Sequence, residues 1–185
     1  MPTIISHGVV AIAGGKIFAK SNSQKFWLLS IVCAILPDAD AVLFRFGVPY
    51  GNMFGHRGFS HSIFFAIILA LAVVALGFRE IRFNSKQWWT FLSYFSLLGI
   101  SHGILDAMTD GGLGVGFFIP FDSSRYFLPF RPIEVSPLGL KGLFSEWGLR
   151  VMLSEAFWIW LPAFIIVMIF RIAQAGKLNT SSCQK

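Results

Sequence analysis

Long apolar runs alternate with short polar interruptions along this chain. Ser62 to Phe78 reads as one uninterrupted apolar run, and Trp88 to Leu105 as a second that turns polar only near its far end. Ala156 to Phe170 is a third, extended backward by Leu149 to Leu153. Phe26 to Phe46 has the length of a span but is interrupted by Asp38 and Asp40, and Ile4 to Ala19 is shorter and contains glycine. A helix of about 20 apolar residues crosses the hydrocarbon core of a bilayer. The pattern therefore predicts an all-α, polytopic membrane bundle of about five transmembrane helices. One membrane-embedded domain is expected over residues 1–175, followed by a polar, disordered cytoplasmic tail over 176–185. No internal repeat is visible. No cleavable signal peptide is expected, because the first apolar stretch lacks a basic start and carries His7.

Composition strengthens the membrane reading. Of 185 residues, 55% are apolar and 13% charged, with a mean hydropathy of +0.68. A soluble domain carries about 25% charged residues, and a core of this size cannot absorb so much apolar surface. The net charge is +6, but the basic residues are scattered at segment ends rather than clustered. That distribution argues against nucleic acid and for anchoring at anionic headgroups. With an odd number of spans, Lys16, Lys20, Lys25, Arg79, Arg82, Lys86, Arg171, Lys177 and Lys185 share one side. Arg45, Arg57, Arg125, Arg131, Lys141 and Arg150 fall on the other. The positive-inside rule then puts the carboxy tail in the cytoplasm and the amino terminus outside. Cys33 and Cys183 have neither disulfide context nor metal-ligand spacing.

Against this apolar background, ionisable residues inside the runs are functional candidates. The four histidines, His7, His56, His61 and His102, all fall near the outer end of a span, together with Asp38, Asp40 and Asp106. His102 and Asp106 are four apart and share a helical face. Asp38 and Asp40 follow Pro37, which disfavours a regular helix and allows the two carboxylates to point at different partners. His56 and His61 flank Gly58, where a turn lets both imidazoles converge, and Ser60 is placed to cap the next helix. Alone, each motif also reads as a polar turn or a packed hydrogen-bonded pair. Together, imidazoles and carboxylates on one face are the ligand set of zinc, manganese or iron. The expectation is one or two divalent ions, zinc first, held by His7, Asp38, Asp40, His56, His61, His102 and Asp106. Asp38 and Asp40 are the candidate catalytic carboxylates, and Arg57 is placed to neutralise an anion.

Ala107 to Gly148 is the long non-spanning segment, rich in glycine, proline and phenylalanine. It reads as an interfacial lid over the site. Arg125 and Arg131 within it are candidate headgroup contacts. Thr109 and Asp110 are candidate supports of the ligands, and Glu134, Glu146 and Glu155 are candidate bases or further ligands.

The motifs Pro37-Asp-Ala-Asp40, His56-Arg-Gly-Phe-Ser-His-Ser62 and His102-Gly-Ile-Leu-Asp-Ala-Met-Thr-Asp-Gly-Gly112 resemble those of the YdjM-like membrane-bound metal-dependent hydrolases of bacteria. The resemblance runs from about His7 to about Pro132. It implies a helical inner-membrane protein with a hydrolase site. A more distant similarity is to the zinc-dependent phospholipase C superfamily, in which an early His, an Asp and a His-xxx-Asp pair hold clustered zinc. This chain lacks the later histidines that complete a third zinc site there. A bound metal lowers the pKa of a water and polarises the scissile group. An apolar rim over a cationic floor suits a lipid or lipid-linked phosphoester at the outer face. The other expectations are amide or ester hydrolysis at a single zinc, and a non-catalytic metal-bearing membrane protein.

Overall fold

The computed structural model describes residues 1–18, 23–137 and 140–182. Lys20, Cys183 and Lys185 lie outside the described residues. The chain is all-helical: α1 (Ile4–Phe18), α2 (Gln24–Ile35), α3 (Ile63–Gly77), α4 (Lys86–Ala107), α5 (Leu140–Leu143), α6 (Glu146–Glu155) and α7 (Leu161–Ser182). No strand forms among the described residues, although the isolated bridges Thr109–Ile133 and Val115–Tyr126 tie the long loop to itself.

Local chemistry sets the boundaries. Pro37 has no N–H to donate, and past it α2 tightens into a 3-10 helix over Leu36–Phe46 that ends at Gly47 with φ of 78°. Eleven residues of 3-10 winding is long, since such runs seldom exceed 3–4. At three residues per turn, Asp38 and Asp40 leave the axis roughly 120° apart. The two carboxylates therefore face different partners. Ser62 caps α3 by accepting from the Phe65 amide at 3.0 Å, and Ser85 caps α4 by accepting from Trp88 at 3.2 Å. The cap expected of Ser60 belongs to Ser62, because the Ser60 hydroxyl donates to Asp40 instead.

The first four α-helices enclose the core, where Phe26, Cys33, Ala70, Val74, Phe91, Tyr94 and Phe95 are buried against one another. Packing of α3 on α4 depends on small side chains. A Cβ on Gly99 would come within 2.8 Å of the Ala66 Cβ, and one on Gly103 within 3.0 Å of the His61 carbonyl oxygen. These close approaches draw the end of α4, with His102 and Asp106, onto the His61 backbone.

Two helical stretches, Gln24–Phe46 with 23 residues and Glu146–Gly176 with 31, are long and apolar enough to cross a membrane. The expected number was about five. Helices α1 and α3 are apolar but have 15 residues each, a rise of about 22 Å against a hydrocarbon core of about 30 Å. Helix α4 has 22 residues, but Ser93, Ser96, Ser101, His102 and Asp106 dilute its apolar character. The last stretch joins α6 to α7 through a π turn, Ala156–Trp160. Helix continues to Ser182, where a disordered tail was expected.

Candidate metal centre

Four chain segments converge at one end of the bundle. The start of α1 brings His7, the 3-10 helix brings Asp38 and Asp40, the turn before α3 brings His56 and His61, and the end of α4 brings His102 and Asp106. All seven are buried. At their centre the His61 Nε2 lies 3.1 Å from His102 Nε2, 3.5 Å from Asp38 Oδ1 and 3.3 Å from Asp106 Oδ2. His102 Nε2 is 3.4 Å from the same Asp38 oxygen. Four ligand atoms at the corners of a tetrahedron around zinc, with bonds of about 2.05 Å, lie about 3.3 Å from one another. The group Asp38, His61, His102 and Asp106 thus has the composition and spacing to hold a metal ion.

The surrounding hydrogen bonds favour that use. His102 Nδ1 is 2.7 Å from the Ala34 carbonyl, and His61 Nδ1 is 3.1 Å from Asp40 Oδ2. A carbonyl and a carboxylate both fix Nδ1 as the protonated nitrogen, leaving each Nε2 with a free lone pair directed inward. Asp40 also meets His56 Nδ1 at 2.6 Å. Asp40, His56 and His61 form a second group able to hold a metal. Its separations are hydrogen-bond distances, so we read Asp40 chiefly as the residue that orients His61. Burial opposes a charge on His61, but the neighbouring carboxylates of Asp106, Asp38 and Asp40 outweigh it and raise its pKa well above the usual histidine value.

The outer oxygens of the same carboxylates face His7. Its Nε2 lies 4.0 Å from Asp38 Oδ2 and 3.7 Å from Asp106 Oδ1, and its ring stacks on His102 at 3.8 Å. His7 Nε2 and both oxygens of Asp38 and Asp106 are buried without a hydrogen-bond partner. Leaving such atoms unsatisfied is costly. Of the three buried carboxylates, Asp106 meets the Arg57 guanidinium, and the negative charge gathered here is of the kind that a divalent cation offsets.

Arg57 is fully buried with a left-handed φ of 62°. Its Nε is 3.1 Å from Asp106 Oδ2, while the two terminal nitrogens donate to the Gly111 carbonyl at 2.8 Å and Thr109 Oγ1 at 2.9 Å. Gly112, at φ of 93°, leaves room for this guanidinium, since a Cβ there would lie 2.7 Å from it. Thr109 therefore supports the site, as expected. Asp110 is turned away to accept from the Val135 amide at 2.8 Å. Arg57 also lines a cavity of about 270 Å³ with Met1, Tyr50, His56 and Trp147, so the cluster lies behind an opening.

The other candidates lie outside the cluster. Arg125 donates to the carbonyls of Tyr50, Asn52 and His56 at 2.9–3.0 Å and stitches the long loop to the 47–58 segment. Arg131 is exposed, over the Phe127 ring. Glu134 pairs with Arg150 at 3.6 Å, and Glu146 lies in the exposed first turn of α6. Glu155 is fully buried and takes the Thr3 amide at 2.6 Å and the Thr3 and Ser6 hydroxyls at 2.5 Å each. Trp160 Nε1 donates to the same Ser6 hydroxyl at 2.8 Å. The start of α1, and with it His7, is thereby fastened to the last span. Sequence reasoning missed this role. The only signal was a carboxylate set within an apolar run with no neighbouring cation.

Comparison with known proteins agrees with a membrane setting. The chain is 41% identical over 168 residues to the inner membrane protein YbcI of Escherichia coli (strain K12), covering 90% of this chain and 95% of that protein. No solved structure matches the chain. The relative and the two candidate spans together support an inner-membrane location. The match to the family described as YdjM inner membrane protein extends over residues 1–178, taking in every candidate ligand of the buried cluster, and the chain belongs to that family.

Proposed function

We propose that the chain is a membrane-bound, metal-dependent hydrolase acting on a phosphoester of a lipid or lipid-linked substrate. The observation that carries the metal is the set of buried, unpartnered atoms on His7, Asp38 and Asp106 beside two imidazole Nε2 atoms. His61, His102, Asp38 and Asp106 would hold the first ion. His7 would hold a second with the outer oxygens of Asp38 and Asp106. Zinc suits this mixed imidazole and carboxylate set, with manganese or iron as substitutes. When bound, such an ion supplies an activated water and polarises the scissile bond. Around it, Asp40 holds His61 in orientation, Arg57 and Thr109 fix Asp106, and the 270 Å³ cavity admits a headgroup. A second divalent ion would leave the cluster positive, which favours an anionic substrate such as a phosphate ester.

In this reading the short helices α1 and α3 and the polar α4 cross the membrane beside the two longer stretches, giving five spans. The carboxy end of α7 lies in the cytoplasm and the site at the outer face. Lys16, Lys25 and Lys86 lie at the helix ends away from the cluster, in keeping with that orientation. Neither family match is to the zinc-dependent phospholipase C superfamily. A second reading, amide or ester hydrolysis at a single zinc, draws on Arg57 being buried and turned toward Gly111, Thr109 and Asp106 rather than held out for a phosphate. Purified protein loaded with zinc and offered lipid phosphates and neutral acyl amides separates the two. Release of phosphate or headgroup that stops on chelation supports the first. Cleavage of amides alone supports the second. Bound metal with no turnover of either class assigns the centre a structural role.

A further inference from the structure

Helices α1 and α7 run in the same direction from the site end of the bundle and leave an apolar groove of about 330 Å³ between them. Val9, Ile12 and Lys16 line it from α1, and Phe164, Val167 and Arg171 from α7. The spacing is the same on both helices, +3 then +4, which sets each triplet on one helical face. Each triplet is two apolar residues followed by a cation, and both cations fall at the end away from the metal cluster. The other end is closed by the Trp160–Ser6 hydrogen bond of 2.8 Å. Both are exposed, and neither has an ion-pair partner among the described residues; the Lys16 ammonium lies 5.1 Å from the centre of the Trp27 ring. From His7 to Lys16 the helix rises about 13 Å, so the cations lie well clear of the site.

We propose that this groove seats one anionic phospholipid, an acyl chain lying along Val9, Ile12, Phe164 and Val167 and the headgroup phosphate between Lys16 and Arg171. Paired basic residues at the mouth of an interhelical groove complement a negative headgroup, whereas a zwitterionic one brings its own cation. The seat is separate from the metal centre and needs no turnover. It braces α1, which carries His7, against the last span through a lipid rather than through side chains alone.

Native mass spectrometry of the delipidated full chain in mild detergent tests this. Phosphatidylglycerol and phosphatidylcholine with the same acyl chains are added in turn. Wild type is expected to retain one phosphatidylglycerol in preference to phosphatidylcholine. Two cations near a headgroup account for about a thirtyfold preference. Lys16→Gln with Arg171→Gln is expected to abolish it, while Arg79→Gln with Arg82→Gln leaves it intact. Arg171→Glu, an exposed change that spares the fold, is expected to reverse it if the double variant is unstable. Equal retention of both lipids by wild type, or an unchanged preference in Arg171→Glu, overturns the proposal. A dimer free of lipid overturns it too, by assigning the groove to a second copy of the chain.

Discussion

Replacing Asp106 by Asn tests the centre at its most connected point. The carboxylate is fully buried, with Oδ2 3.3 Å from His61 Nε2 and 3.1 Å from Arg57 Nε, and Oδ1 3.7 Å from His7 Nε2. Asparagine keeps the shape, removes the charge and turns an amide donor toward a guanidinium or an imidazole. Removing one partner of a buried ion pair costs about 3–5 kcal/mol, a large share of the roughly 5–15 kcal/mol that holds a domain folded. Wild type saturated a hundredfold above its metal dissociation constant gains about 2.7 kcal/mol from the ion. Chelation should therefore lower its melting temperature by about 5–10 °C for a chain of this length. In Asp106→Asn that response should vanish, because a lost ligand weakens binding by more than the 10–100-fold seen when a supporting residue is removed. Metal quantified by mass spectrometry after gel filtration, with melting followed by circular dichroism with and without chelator, reads both effects. A folded Asp106→Asn that keeps wild-type metal, or a wild type whose melting ignores the chelator, would refute the assignment.

Gly99→Ala pushes a methyl to 2.8 Å from the Ala66 Cβ, so α3 and α4 must move apart about a turn before His102. A cost of about 1–3 kcal/mol and reduced metal occupancy are expected, and unchanged occupancy would show that the helix contact does not position the site. Glu155→Gln strips the charge from a carboxylate that takes three donors. A loss of at least about 3 kcal/mol is expected in thermal unfolding, since bonds to a charged group contribute about 1.5–3 kcal/mol each; a neutral result would mean that the start of α1 is held by packing alone. Arg57→Lys keeps the charge but loses the donors to Gly111 and Thr109. Metal content should fall, whereas a residue that touched only substrate would lose turnover and keep its metal. For orientation, Ser181→Cys in a chain without Cys183 should resist an impermeant external thiol reagent, and Ser123→Cys should react. The reverse pattern would invert the protein in the membrane.

The helical class and the convergence of the candidate ligands were legible because apolar run lengths and the types of buried ionisable residue are local properties of the sequence. His61 and His102 lie 41 positions apart, yet each closes or opens an apolar run at the same end, which was enough to group them. The division of labour within the group was not legible. Asp38 and Asp40 differ by two positions, and only the 3-10 winding after Pro37 sends one to the central imidazoles and the other to His56. Arg125 looked free because its acceptors are backbone carbonyls, which have no signature in a sequence. Run length alone did not fix the number of spans: two stretches are long and apolar enough to cross a membrane, while α1 and α3 are apolar but 15 residues long.

The Glu155 clamp bears on the order of assembly. A chain made from its amino end completes α1 long before residue 155 is synthesised. Until then Thr3 and Ser6 lack their acceptor, and the helix that carries His7 is free to shift and turn. A nascent chain can gather Asp38, His61, His102 and Asp106 once α4 is complete, but the fifth side chain is fixed only when the last hydrophobic stretch folds back against the first. Completion of the proposed metal centre is thus timed by the final helix, and truncation before Glu155 would leave the start of α1 without its acceptor.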